Sequence, residues 1–282
     1  MNHAATAFSR LVWTFSLGLL VLLCGCFGPS TNSIPEIAIA AIAATWYPPT
    51  LPVSSGLTFW LDASNASTSG NSVIAWNDSG PNALHMPMDT GAPTRVAGQL
   101  NGLPVIRFPD DPAVVGLRRS SGSPFGNTFS FFSVFRIGSS SQSRSLLSAG
   151  TGCFSVPGNL TIYVDAARKL VVDKMSDGNI FVGNAQIPTN VITSAIIISN
   201  SGGGTADWSL SGTQDGTTAQ AAPFTLTPTI FVGTGCNTGT SNFAGDIAEI
   251  IMYSRVISSS ERMSLECYAQ ARYGVSISHS CP

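Results

Sequence analysis

From Gly56 onward the chain is cut into short apolar runs, each stopped by Gly, Ser, Thr, Asn or Asp before it could complete a long helix. The runs are GLTFWLDAS, NSVIAWND, LPVIRF, FSFFSVFRI, SLLSAG, LTIYVD, KLVVDK, VITSAIIIS, ADWSLSG, TIFVGTG and AGDIAEIIMYS. In LTIYVD, Leu160, Ile162 and Val164 alternate with Thr161, Tyr163 and Asp165, the period of a strand with one buried face. VITSAIIIS is apolar on both faces and predicts a strand buried on both sides. Roughly eleven such runs predict an all-β fold of two packed antiparallel sheets. Hairpin turns are expected in the stretches around Asp165–Leu170 and NSGGGTADW.

One segment breaks the strand rhythm. Ser258 followed by Glu261 fits a capping box, in which each residue's side chain meets the other's backbone amide. Met263, Cys267 and Ala271 recur every fourth position as an apolar stripe, and Gly274 supplies a left-handed stop. A short helix over about 259–273 is expected to lie against the sandwich.

The N-terminus has a different character. MNHAATAFSR leads into the uncharged, mostly apolar run Leu11–Phe27, a hydrophobic helix longer than a usual signal core and shorter than the ~20 residues of a spanning helix. LCGC at Leu23–Cys26 resembles a bacterial lipoprotein signal with Cys26 as the lipidated residue, although Cys24 departs from that pattern. Residues 1–27 are therefore read as a signal, a lipoprotein signal or a retained anchor. Residues 28–55 read as a Pro- and Ser-rich spacer carrying the apolar stretch Ile37–Tyr47. Residues 56–282 form the folded body.

Charge narrows the function classes. Only 10% of residues are charged and the net charge is −2, which leaves no electrostatic footprint for nucleic acid. His3, His85 and His279 lack metal-ligand spacing. No G-x-S-x-G, H-E-x-x-H or phosphate-cradling loop occurs, and GGGT at Gly202–Thr205 reads as a hairpin turn.

The stretches GLTFWLDASNAST, WNDSGPNALHM, NGLPVIRF, FSFFSVFRI and FAGDIAEIIMYSRVISSSERMSLECYAQARYG resemble the laminin-G-like domains of the concanavalin A-like lectin/glucanase superfamily. The resemblance covers about Gly56 to Ile277. It implies a jelly-roll sandwich of two curved antiparallel sheets that binds glycan or a neighbouring protein, with no cofactor except, in some members, a calcium ion at the rim. Asp62, Asp78 and Asp89 lie near loops and are the calcium candidates, each against its reading as an ordinary turn residue.

Glucanases of that superfamily carry acids at alternate positions of one strand, which places two carboxylates on one face, about 5–5.5 Å apart in retaining enzymes. Here Asp246 and Glu249 are three apart, so a regular strand points them to opposite faces. A non-enzyme is expected, with one of the two acids capping a turn or taking an arginine such as Arg255 and the other pairing at the sheet edge. Trp60 and Trp76 are assigned to the core. Trp208, Tyr163 and Tyr253 are the candidate stacking platforms for a ligand, Trp208 being the best exposed of the set.

Four cysteines lie in the body. Cys153 and Cys236 each end a GTGC sequence, Cys267 lies in the expected helix and Cys281 just beyond it. The expected pairs are Cys153–Cys236 and Cys267–Cys281, against four buried free thiols. The sequons at Asn65, Asn77 and Asn159 are near chance in a Ser/Thr-rich chain. The leading expectation is a non-catalytic, membrane-anchored or exported surface module that binds glycan or protein. The alternative is a structural assembly protein, such as a membrane-anchored minor capsid component of a large virus.

Overall fold

The computed structural model describes residues 50–282, except 111–114, 125, 140–143, 151–158, 175–178, 201–203, 220–227 and 236–241. Sixteen strands and one helix follow in chain order: β1 Leu57–Ser69, β2 Ser72–Asp78, β3 Met86–Thr90, β4 Thr94–Leu100, β5 Leu103–Phe108, β6 Gly116–Arg119, β7 Thr128–Ile137 and β8 Arg144–Ala149. The second half runs β9 Leu160–Val164, β10 Lys169–Lys174, β11 Asn179–Gln186, β12 Thr193–Asn200, β13 Thr205–Leu210, β14 Thr213–Ala219, β15 Ile230–Val232, β16 Gly245–Tyr253 and α1 Ser259–Tyr273. The expected N-terminal hydrophobic helix, Cys26, and the pair Cys153 and Cys236 lie outside the described residues. Among the described residues no helix is long and apolar enough to cross a membrane.

The fold class is the one expected, all-β with two packed sheets and one C-terminal helix. One sheet runs β2-β4-β5-β16-β7-β12-β13-β14, with β1 paired to both β16 and β2. The other runs β11-β10-β9-β8-β15-β6, and β3 joins the two by pairing β2 on one side and β6 on the other. All ladders between described strands are antiparallel.

Strand β7 shows how alternation divides the interior. Phe129, Phe131, Phe135 and Ile137 point between the sheets, where they meet Leu160, Ile162 and Val164 of β9. Phe132 and Val134 point to the other side, where they meet Leu265, Tyr268, Ala269 and Tyr273 of α1. Burial of each phenylalanine contributes about 2 kcal/mol. Strand β12 is likewise covered on both faces, with Ala195 and Ile197 inward and Ile196 under the helix.

The helix has the expected limits and caps. The Ser258 hydroxyl accepts from the Glu261 amide and the Glu261 carboxylate accepts from the Ser258 amide at 2.8 Å. Gly274 closes the helix in the left-handed region, φ 74°, which a glycine adopts without steric cost. The buried stripe differs from the one expected. Leu265, Tyr268, Ala269 and Tyr273 face the sheet, whereas Met263 is 46% exposed and Ala271 faces solvent. Aromatic rings at 268 and 273 bury more area than Met263 and Ala271, so they set the docked face.

Packing already involves residues ahead of Gly56. Val53 is buried in the helix-side cluster, the Tyr253 hydroxyl donates to its carbonyl at 3.0 Å, and Arg255 Nε donates to the Ser55 carbonyl at 2.9 Å.

Candidate functional site

Strand β16 carries the two acids that a catalytic reading would need. A bulge between Ile247 and Glu249 adds a residue to this strand relative to β7. At that point the neighbour on the other side changes from β5 to β1. The extra residue resets the alternation. Asp246 and Glu249 therefore both lie on the helix side of the sheet, which corrects the expectation of opposite faces.

Neither acid is free for chemistry. Asp246 sits directly between Arg107 of β5 and Arg136 of β7 in the ladder. Arg107 Nε donates to Asp246 Oδ1 at 2.7 Å and its Nη2 to Oδ2 at 3.1 Å, while Arg136 donates to Oδ2. Cross-strand charge pairs of this kind hold register. The expected partner Arg255 belongs to Glu261, with Nη1 donating to Oε2 at 2.8 Å.

Glu249 is fully buried beneath α1. Its Oε1 accepts from Trp60 Nε1 at 2.6 Å and from the Tyr268 hydroxyl at 2.8 Å, and its Oε2 has no hydrogen-bond partner. Burial pushes its carboxyl up to about 7, helped by Asp62 and opposed by Arg272, Trp60 and Tyr268. Such a value suits a general acid, but Trp60, Tyr268 and the helix seal the group from any substrate. Asp62, opposite Glu249 in the ladder, pairs with Arg272 of α1, whose guanidinium also lies 5.7 Å from the Tyr268 ring centre and 5.4 Å from that of Tyr273. The cluster fastens the helix to the sheet.

The calcium candidates have separate duties. Asp62 accepts from the Ser64 amide and pairs with Arg272. Asp78 accepts from the amides of Trp60, Gly80 and Leu84 at 2.7–2.8 Å, ordering the turn after β2. Asp89 lies 3.8 Å from Arg118. Among the described residues the one close grouping of metal-capable side chains is Cys267, His279 and Cys281, and its two sulfurs are joined to each other in a disulfide with Cα atoms 5.6 Å apart. A disulfide sulfur is not a thiolate ligand.

The stacking candidates also need correction. Trp208 is in the inter-sheet core, 6% exposed and 6.2 Å from the Phe181 ring. A side chain at Gly216 would collide with its ring. Tyr253 is buried with its hydroxyl donating to Val53. Tyr163 alone of the three is partly exposed, and burial, with Asp173 and Asp165, pushes its hydroxyl up to about 12. Trp76 is core as expected, whereas Trp60 is partly exposed and serves Glu249. Of the sequon residues, Asn159 is buried.

A concave surface lies elsewhere, where the edge strands β11 and β14 of the two sheets approach each other. A pocket of about 490 Å³ is lined by Asn184, Ala185, Leu210, Thr213, Gln214 and Asp215. A second, of about 240 Å³, shares Ala185 and Leu210 with it and continues past Pro188 and Val191 to Ser276 of the C-terminal tail. Asp215, 4% exposed, bridges the edges: its Oδ1 accepts from the Asn184 amide at 3.0 Å and the Ala185 amide at 2.6 Å. Its Oδ2 has no hydrogen-bond partner. The side chain of Asn184 returns a bond to the Asp215 carbonyl at 2.6 Å. The tail is held beside this cleft by the disulfide, by the Ser278 amide donating to the Ser211 carbonyl, and by His279 Nε2 at 2.7 Å from Glu266. Sequence reading missed this cleft because β11 and β14 have little apolar alternation.

Two sheets, a helix-covered outer face and an edge cleft define an antiparallel β-sandwich. No protein family matches the chain in sequence, and no curated protein does. Solved structures share the fold. Domain 4 of AbnA, an extracellular GH43 arabinanase from Geobacillus stearothermophilus in complex with arabinotriose, is 13% identical with a TM-score of 0.57, over 77% of this chain and 100% of that one. The Trypanosoma rangeli sialidase in complex with the inhibitor DANA is 15% identical with a TM-score of 0.54, over 77% of this chain and 33% of the sialidase, so the likeness spans a third of that enzyme. A CBM40 of the Ruminococcus gnavus IT-sialidase, bound to α2,3 sialyllactose, matches more loosely, at 19% identity and TM-score 0.43 over 48% of this chain and 79% of that one.

Proposed function

We propose that the chain is a non-catalytic, laminin-G-like glycan-binding module, exported or held at a membrane by its N-terminal segment. The observation that carries this reading is the likeness to a complete domain, AbnA domain 4, whose structure contains arabinotriose. At this identity the likeness speaks for the fold, and the fold hosts several functions. Support for a binding role comes from the acids of β16. Asp246 is committed to two arginines and Glu249 is sealed under α1, so these two acids of β16 are not a pair arranged for glycoside hydrolysis.

The test is calorimetric titration of the 282-residue chain with arabinotriose, alongside a glycan array and an assay for sugar release. Saturable binding with no release of reducing sugar is the expected result. Turnover of any glycan would overturn the non-catalytic half of the reading. Absence of binding across the array, with the protein recovered in a particle fraction, would favour the assembly protein over the lectin.

A further inference from the structure

We infer that the edge cleft between β11 and β14 is the glycan site and that it takes neutral rather than acidic sugars. The inference rests on the glycan-binding reading above and assigns it a place and a ligand class. A sugar offers pairs of hydroxyls that both donate and accept, together with apolar C–H faces. The side chains of Asn184, Thr213 and Gln214 are exposed at the rim; Asn184 and Gln214 each spend one N–H on a backbone carbonyl of Asp215 or Gly216 and keep a second N–H and oxygen lone pairs for a ligand. Leu210 and Ala185 supply the apolar floor shared by the two pockets. A cleft of mostly apolar lining with a few convergent polar groups is the usual form of a small-molecule site.

Charge decides the ligand class. Asp215 forms no ion pair among the described residues, and one of its oxygens lacks any hydrogen bond. Its net negative charge therefore lies just behind the cleft wall, held by two backbone amides and by no cation, where the dielectric is lower than in water. Arg262 approaches from α1, but its guanidinium donates to the side-chain oxygen Oε1 of Gln214 at 3.4 Å from the partly exposed rim, where solvent and salt screen it. His279 faces Glu266, and Arg168 binds Gln186. A carboxylated sugar entering the larger pocket would come near this buried charge with no unpaired cation among the described rim residues to offset it, whereas a neutral sugar would not be repelled.

The experiment compares the 282-residue chain with Gln214→Ala, Thr213→Trp and Asp215→Asn on an array holding matched neutral and sialylated oligosaccharides, with melting curves recorded for each variant. Gln214→Ala removes one polar group at an exposed position and is expected to weaken neutral-glycan binding about tenfold, the equivalent of one lost hydrogen bond of 1.4 kcal/mol. Thr213→Trp fills the pocket and is expected to abolish binding while the melting point holds. Asp215→Asn keeps an oxygen for the β11 amides, removes the charge, and is expected to narrow the gap between neutral and sialylated glycans. Glycan binding unaffected by both Gln214→Ala and Thr213→Trp overturns the cleft and leaves the glycan-binding reading standing. A preference of the unmodified chain for sialylated glycans overturns the charge argument. No binding to any glycan overturns both.

Discussion

Glu249 and Asp215 are both buried acids, and their surroundings divide the molecule into a sealed region and an open one. Glu249 lies under a helix, between Trp60 and Tyr268, with the Asp62–Arg272 pair beside it. Asp215 lies between two sheet edges and lines a cleft. A buried, titration-shifted acid is often read as a sign of a working site. Here Glu249, shifted by burial, is an acid that no ligand can approach. Access, rather than perturbation, separates a fastening from a binding surface.

The sharpest way to break this contrast is to unseal the first region. Tyr268→Ala removes a buried ring and one of the two donors to Glu249, leaving a cavity and a poorly compensated acid. The expected loss is about 4 kcal/mol in urea unfolding, and a loss under 1 kcal/mol would show that the helix docks without this contact. A second test reads the acid itself. In the folded chain Glu249 ionises near pH 7, against an ordinary value of 4.5. Between those values the folded protein retains a proton that the unfolded chain has released. The stability contributed by Glu249 is thus full below pH 4.5 and falls as pH rises to 7, by about 3 kcal/mol. Glu249→Gln keeps the neutral shape and is expected to flatten that slope; an unchanged slope would assign it to other groups.

Smaller effects test the boundary between the regions. Cys281→Ser opens a disulfide spanning 14 residues, which predicts a loss of about 2–3 kcal/mol and a freer tail beside the cleft, seen as faster amide exchange at Ser276 and Ser278. Equal exchange with and without the bridge would mean that the Ser211 and Glu266 contacts hold the tail alone. Ser258→Ala removes the N-cap and is expected to cost about 1 kcal/mol, the smallest change of the series, read from the thermal midpoint.

The sequence announced those parts of the fold whose physics is local. The eleven apolar runs from Gly56 onward are all strands, and the Ser258–Glu261 box and Gly274 set the helix limits. Five strands escaped notice. β3, β4, β6, β11 and β14 hold Pro87, Gly98, Arg118–Arg119, Gly183 and Gly216, and their ladders are imposed by neighbours rather than by their own alternation. The bulge in β16 was illegible for a similar reason: nothing in GDIAEII marks the extra residue, which arises where β5 gives way to β1 along the strand's edge. Exposure of a tryptophan next to a glycine-rich turn was a poor inference, because Trp208 lies three places inside β13 and its face is fixed by register with β12. The cleft belongs to two strands far apart in sequence, so no single window contained it.

The position of β16 in the chain has a kinetic meaning. It is the last of the described strands in chain order, yet it lies in the interior of its sheet, against β7 along one side and β5 and β1 along the other. Until Gly245–Tyr253 exists, those three strands lack their common partner and expose unpaired edges. Folding of the first sheet therefore waits for contacts between distant parts of the chain, which places it among slow, high-contact-order reactions. A chain ending at Ala244 would retain most of the sequence and lose the sheet.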